Sequence, residues 1–245
     1  MARAGYGSRV EGLHAVAAAA ATGRVEVLHV ESGRMDKPDV SSLAERVRSG
    51  GGKVRAVDDV RRLSETTAPQ GVVAECAVIA PVTLEEVAAT SQPAAVMVLD
   101  RVLDPHNLGA IVRSSVAAGV SGFVIGSRRA APLGATAFKT AAGALEPAKV
   151  AMVGSIAEAV ARLGRLGLWT VGLAADGERP LFGLDLLTEP VALVVGGEGA
   201  GLSRLVRDRL DLTVSIPMPG PVESLNVSVA AALASFEIPR QRFYQ

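Results

Sequence analysis

With a single cysteine among 245 residues, Cys76, the chain has no internal disulfide and no zinc site built on several thiolates. Aromatic residues make up only 3% of it, which argues against a base-stacking platform as the main grip on a nucleic acid. His106 has no partner at metal-ligand spacing, so no metal is expected. An excess of either charge is also missing. Lys+Arg and Asp+Glu both number 25, so any contact with a polyanion must come from local clusters. Long apolar runs are absent too. The alanine-rich residues 15–21 are too short to span a bilayer. Residues 1–12, with Arg3, Arg9 and Glu11, do not have the pattern of a secretory signal. The expectation is a soluble, cytoplasmic chain with no membrane partner.

What is present is a long α/β alternation. The composition is 49% apolar, enough for a small domain beside a larger one. Residues 10–80 alternate short strands (25–30, 53–57, 71–80) with helical spacing (13–21, 39–48, 59–64), and predict a compact α/β unit over 1–80. A linker is expected over 81–93, where Thr83 reads as an N-cap and Glu85 and Glu86 fill the first turn. From 94 to 245 the strands become nearly continuous apolar runs: 96–99, 122–125, 148–153, 169–174, 191–195 and 212–216. Such runs suit a mostly parallel sheet buried on both faces. Helices are expected at 108–118, 156–166 and 202–210, and from near Leu225 toward Phe236.

Ligands of such sheets bind outside the carboxyl ends of the strands. Three unusual segments follow strand-like runs. In the first, Asp104, Pro105 and Asn107 read as turn and cap residues, and Arg113 falls opposite Leu108 on the helical wheel. An isolated arginine there is most often a solvated surface residue. Its planar fork also suits phosphate recognition, and Asn107 could hold a ribose hydroxyl. The second segment, Gly196-Gly-Glu-Gly199, fails the dinucleotide spacing: the third glycine would fall at position 202, which is Leu202. That argues against a nicotinamide oxidoreductase. Its glycines allow close backbone approach to a ligand, and Glu198 favours a ligand with positive or hydroxyl-donor character. The third segment, residues 216–228, is stiffened by Pro217, Pro219 and Pro221 before Ser224 or Asn226 caps the final helix.

These segments, in this order, resemble the SpoU family of RNA ribose methyltransferases, in the SPOUT superfamily. The matching residues are 104–113, 196–199 and 224–228, and Lys139 to Gly143 resembles a lysine-bearing stretch between the family's motifs. Within the family, the chain is most similar to the branch that methylates a guanosine of 23S ribosomal RNA. Residues 10–16 and 70–74 resemble the family's small ribosomal-protein-like RNA-binding domain, although residues 1–80 hold eleven Lys+Arg against ten Asp+Glu.

The resemblance implies a C-terminal trefoil knot, a homodimer, structured RNA as partner and S-adenosylmethionine as cofactor. It implies cofactor binding by Leu173, Ala174, Gly196, Gly197, Gly199, Ile216, Met218 and Leu225. It places Asn107, Arg113, Glu198, Ser224 and Asn226 in the active site. Deprotonating an arginine at neutral pH would cost about 8 kcal/mol, at roughly 1.4 kcal/mol per pKa unit. Arg113 therefore fits a phosphate clamp better than a base. Glu198 is left as base or as orienter of the hydroxyl. A transfer-RNA substrate, or a non-catalytic assembly factor on the same fold, are the alternatives.

Overall fold

The computed structural model describes residues 5–244; Arg3, among the first four residues, lies outside the described residues. In chain order the elements begin with β1 (Arg9–Glu11), α1 (Leu13–Ala21), β2 (Val25–Glu31), α2 (Pro38–Ser49), β3 (Lys53–Val57) and β4 (Val72–Cys76). They continue with α3 (Leu84–Ala88), β5 (Ala95–Asp100), α4 (Pro105–Ala117), β6 (Gly122–Gly126), α5 (Ala135–Ala141), β7 (Lys149–Val153) and α6 (Ile156–Arg165). The last are β8 (Trp169–Leu173), β9 (Arg179–Pro180), β10 (Val191–Gly196), α7 (Arg204–Arg207), β11 (Leu212–Ser215) and α8 (Val227–Phe243).

Two compact units result. The first runs to Ala80 and also takes in Pro132–Pro147; the second holds Pro81–Ala131 and the chain from Ala148 onward. The first unit is a four-stranded sheet in the order β1-β4-β2-β3, in which only β2 and β3 pair in parallel. α5 belongs here and packs on β1. The segment around it is fixed by Arg24, whose Nε and Nη2 donate to Glu146 at 2.8 and 2.6 Å while Nη1 donates to the Gly7 carbonyl at 2.8 Å. The same guanidinium lies 5.7 Å above the Phe138 ring, a cation–π distance. Burial pushes the Cys76 thiol up to about 12, so the lone cysteine stays protonated and unreactive.

The second unit is a seven-stranded parallel sheet in the order β7-β6-β5-β10-β8-β11-β9. β5 is buried along its whole length, as the unbroken apolar run requires. Because every strand points the same way, all carboxyl ends meet at one edge. The neighbours β10, β8 and β11 bring the loops after Gly196, Leu173 and Ser215 together there, and β5 brings the start of α4 beside them.

α4 and α8 run parallel, since Asn107 bonds to Asn226 at one end and Ser115 to Ser235 further along both helices. Leu108, Ile111, Val112, Ala231 and Ala234 fill the core on their inner faces. Burying each of the larger side chains contributes about 1.5–3 kcal/mol.

Several element bounds differ from expectation. The helix expected at 202–210 is reduced to α7, because residues 197–203 are held as a loop by Asp100, whose Oδ2 accepts from the Ser203 N–H at 2.6 Å. Residues 59–64 form a single 3-10 turn at Val60–Arg62, closed by the Asp59 carboxylate. α8 begins at Val227 rather than Leu225 and continues past Phe236 to Phe243, through Pro239. Among the described residues, no helix is long and apolar enough to cross a membrane.

Candidate active site

A cavity of about 490 Å³ opens at the shared edge of β10, β8 and β11, closed on one side by the first turn of α8. Its apolar wall is Leu173, Val195, Ile216, Met218 and Leu225. A second part of its wall is backbone of residues 196–199 with Gly201. Gly196 and Gly197 are required there by space: a Cβ on the first would overlap the Gly201 backbone, and one on the second would overlap the Arg101 carbonyl. Gly199 takes a left-handed φ of 74°, which a side chain would resist. The Gly197 N–H donates to the Asp100 carbonyl at 2.8 Å, tying the loop to the end of β5.

The eight positions expected to bind a cofactor, Leu173, Ala174, Gly196, Gly197, Gly199, Ile216, Met218 and Leu225, all line this cavity. So do Glu198, Ser224 and Asn226. Asn107 stands beside it, and its side-chain amide donates to Glu198.

The cap assignment of Asn107 needs correcting. Asp104 caps α4, its Oδ1 accepting from the His106 N–H at 2.9 Å, and Pro105 occupies the first helical position, where it has no N–H to leave unpaired. Asn107 is thereby released from capping. At α8 the cap is Asn226, not Ser224: its Oδ1 accepts from the Ser228 N–H at 2.8 Å and from the Ser228 hydroxyl at 2.6 Å. The Ser224 hydroxyl is exposed and makes no hydrogen bond among the described residues.

These bonds fix the direction of a polar chain. Because the Asn226 oxygen is committed to the cap, its Nδ2 must face away, and it donates to Asn107 Oδ1 at 3.1 Å. Asn107 Nδ2 then points at the Glu198 carboxylate. Every donor in the series Ser228, Asn226, Asn107 is aimed toward Glu198, an arrangement in which each bond polarises the next. The amino-terminal ends of α4 and α8 meet at the same point, and their partial positive charge favours an anion there. Glu198 is exposed, so its remaining oxygen lone pairs are open to a hydroxyl donor.

Arg113 is not part of this cluster. It lies two turns further along α4, exposed, without an ion pair among the described residues and outside the cavity lining. Sequence reasoning missed Ala175, Val195, Gly201, Val214, Glu223, Val227 and Ala230 in the lining. Val227 and Ala230 carried a signal, since positions i and i+3 at a helix start share a face. Glu223 carried none. Among the described residues, no group of three or more His, Cys, Asp or Glu is placed to hold a metal ion.

Comparison with known proteins gives one consistent result. The SpoU rRNA Methylase family matches residues 94–236, and the RNA 2′-O ribose methyltransferase substrate binding family matches residues 9–81. The 23S rRNA (guanosine-2′-O-)-methyltransferase RlmB of Xanthomonas campestris pv. campestris is 42% identical over 89% of this chain and 88% of its own length. That of Nitrosomonas europaea is 39% identical over 89% of this chain and 84% of its own. Among solved structures, the SpoU methyltransferase AviRb from Streptomyces viridochromogenes, in complex with AdoMet, aligns at a TM-score of 0.82 and 28% identity, covering 96% of this chain and 90% of that one. The AdoMet-bound rRNA methyltransferase from Sinorhizobium meliloti aligns at 0.75 and 26% identity, over 95% and 86% of the two chains.

Proposed function

Since this chain belongs to the SpoU rRNA methylase family, we propose that it transfers a methyl group from S-adenosylmethionine to the 2′-oxygen of a guanosine ribose in 23S ribosomal RNA, in the cytoplasm. The observation that carries this reading is the donor series ending on Glu198 at the mouth of the cavity.

The cavity residues fit the cofactor. Its size is within the ~300–1,000 Å³ usual for small-molecule sites. Leu173, Ile216, Met218 and Leu225 supply apolar contact for a heterocycle. The backbone N–H groups of Met218 and Leu225 make no hydrogen bond among the described residues and are available to it. Glu198 and Glu223 supply negative charge toward a cationic centre. When bound, S-adenosylmethionine supplies an electrophilic methyl group on a sulfonium.

The protein's task is then to orient a hydroxyl and take its proton. Glu198 accepts the hydrogen bond of the 2′-hydroxyl and takes up its proton. Asn107, held by Asn226, keeps the carboxylate from rotating away. Ser224 has a free hydroxyl for the ribose. Arg113, always protonated, acts as a cation that holds an RNA phosphate.

The reading includes the family's homodimer and trefoil knot. Exposed Val229, Leu233 and Phe236 form an apolar stripe on α8 that supports pairing with a second copy, and the exposed face of the adjoining α4 carries Arg113. The order β10-β8-β11, in which the chain returns past β8 to reach β11, supports the knot.

The test is mapping of 2′-O-methyl marks on ribosomal and transfer RNA with and without the gene, alongside calorimetric titration of the purified protein with S-adenosylmethionine. One guanosine mark in 23S RNA should vanish in the deletion strain. Folded protein with no affinity for the cofactor would sink the reading, and a lost mark in transfer RNA instead would reassign the substrate.

A further inference from the structure

Among the described residues, four other than glycine have positive φ: Gln70 at 60°, Arg101 at 59°, Arg129 at 52° and Ala142 at 50°. The two arginines lie in loops that follow neighbouring strands. Arg101 directly follows β5 and Arg129 lies just beyond β6, at the edge where the cavity opens. A left-handed backbone is unfavourable for a residue with a side chain and persists only where surrounding structure enforces it.

That enforcement is visible for the β6 loop. The Ser127 N–H donates to the Val153 carbonyl at 2.8 Å, and the Ala131 N–H donates to the Val102 carbonyl at 2.8 Å. Residues 128–130 are thus held between two fixed points.

The two loops use their arginines differently. The Arg101 guanidinium is committed, reaching the Gly201 carbonyl at 3.4 Å and Asp100 at 3.7 Å, where it braces the glycine loop. Arg128 and Arg129 are exposed, and their guanidinium groups make no hydrogen bond or ion pair among the described residues. They are adjacent cations on a stiff loop without a local anion to serve. β6 is two strand positions from β10, so the loop lies about 10 Å from the start of the Glu198 loop, at roughly 4.8 Å per strand. That is a reach of one or two nucleotides along an RNA strand, and arginine forks match phosphate geometry.

We propose that Arg128 and Arg129 are positioning residues that hold backbone phosphates of the RNA next to the reactive ribose, on the β6 side of the site. The inference rests on the reading of this chain as an RNA ribose methyltransferase.

The experiment compares wild type with Arg128→Ala, Arg129→Ala, Arg129→Gly, Arg129→Lys and, as a charge-loss control, Arg165→Ala on the exposed face of α6. The probe is deproteinised 23S RNA from a strain lacking the gene. Equilibrium binding is measured across a salt series and methyl transfer is measured in parallel. Each alanine variant should weaken RNA binding and raise KM for RNA about 5- to 30-fold, with kcat and cofactor affinity within about twofold of wild type. The slope of log affinity against log salt should flatten by about 0.7 per arginine removed. Arg129→Gly relieves the backbone and should show the same loss without loss of thermal stability; Arg129→Lys should recover part of the affinity. Affinity and slope matching the Arg165→Ala control would overturn the proposal. A wild-type chain that binds RNA without methylating it would instead overturn the assigned activity, and the salt comparison would still be decisive for the two arginines.

Discussion

Replacing Asn107 by Asp puts a second carboxylate where an amide now donates to Glu198. Size is conserved and the α4 cap on Asp104 is untouched, so the change isolates the polar series. The expected outcome is a fall in kcat of about 10²- to 10³-fold, the scale of losing one oriented group at a reacting centre, with cofactor affinity retained in a calorimetric titration. A variant as active as wild type would remove Asn107 from the mechanism. At this scale the sequence pointed to residues that the fold brings together and was silent about how they connect. Motif spacing singled out Asn107, Glu198 and Asn226, but with Asp104 and Asn107 both able to cap α4, and Ser224 and Asn226 both able to cap α8, it did not reveal which ones do. That depended on Pro105 fixing the first turn of α4, which handed the cap to Asp104, and on the committed oxygen of Asn226. Arg113 was expected in the active site on the strength of the resemblance; its separation from the cavity follows from the helical rotation and rise between positions 107 and 113.

Among the elements, α8 carries the most. Beyond the end that faces the cavity, its buried Glu237 accepts from the Gly183 N–H at 2.8 Å, from Arg240 at 2.6 and 2.7 Å and from Gln241 at 2.9 Å, pinning the loop after β9. The Arg240 guanidinium foremost holds this carboxyl down at about 2, against an ordinary value near 4.3. A depressed carboxylate contributes stability that is complete above the ordinary value and lost as pH falls toward 2. Glu237→Gln should therefore lower the melting temperature at pH 7 by about 3–8 °C, and the gap to wild type should narrow between pH 4 and pH 2 in a calorimetric pH series. A gap that stays constant over that window would show the charge to be irrelevant. Six of the seven strands of the second unit were readable almost to the residue because buried parallel strands are continuous apolar runs; β9, two exposed residues, carried no such signal. α5 was not readable either, because the alanines of residues 135–141 show no amphipathic period, and its placement depends on Phe138 meeting Arg24. The shortening of the 202–210 helix was equally hidden, since the bond from the Ser203 N–H to Asp100 spans 103 positions of sequence.

For the whole molecule, the apolar stripe on α8 is the feature that a lone chain leaves in water. Val229 is 47% exposed, Leu233 38% and Phe236 51%. Spaced at helical intervals, they form one patch rather than scattered surface residues. Light scattering should give wild type twice the mass of one chain, and Leu233→Glu with Phe236→Glu should give the single-chain mass while keeping the helical circular dichroism. A wild type that is already a single chain at micromolar concentration would remove the second copy from the account.

The discontinuity of the first unit has a consequence for how the protein comes into being. Its four strands are all synthesised within the first 76 residues, yet Arg24 finds its anion and its aromatic seat only in Glu146 and Phe138. During synthesis the four strands are therefore complete some seventy residues before Glu146, the partner of Arg24, is added. Severing the chain near residue 80 would therefore leave Arg24 of the amino-terminal fragment without the carboxylate and the ring that it meets in the whole chain.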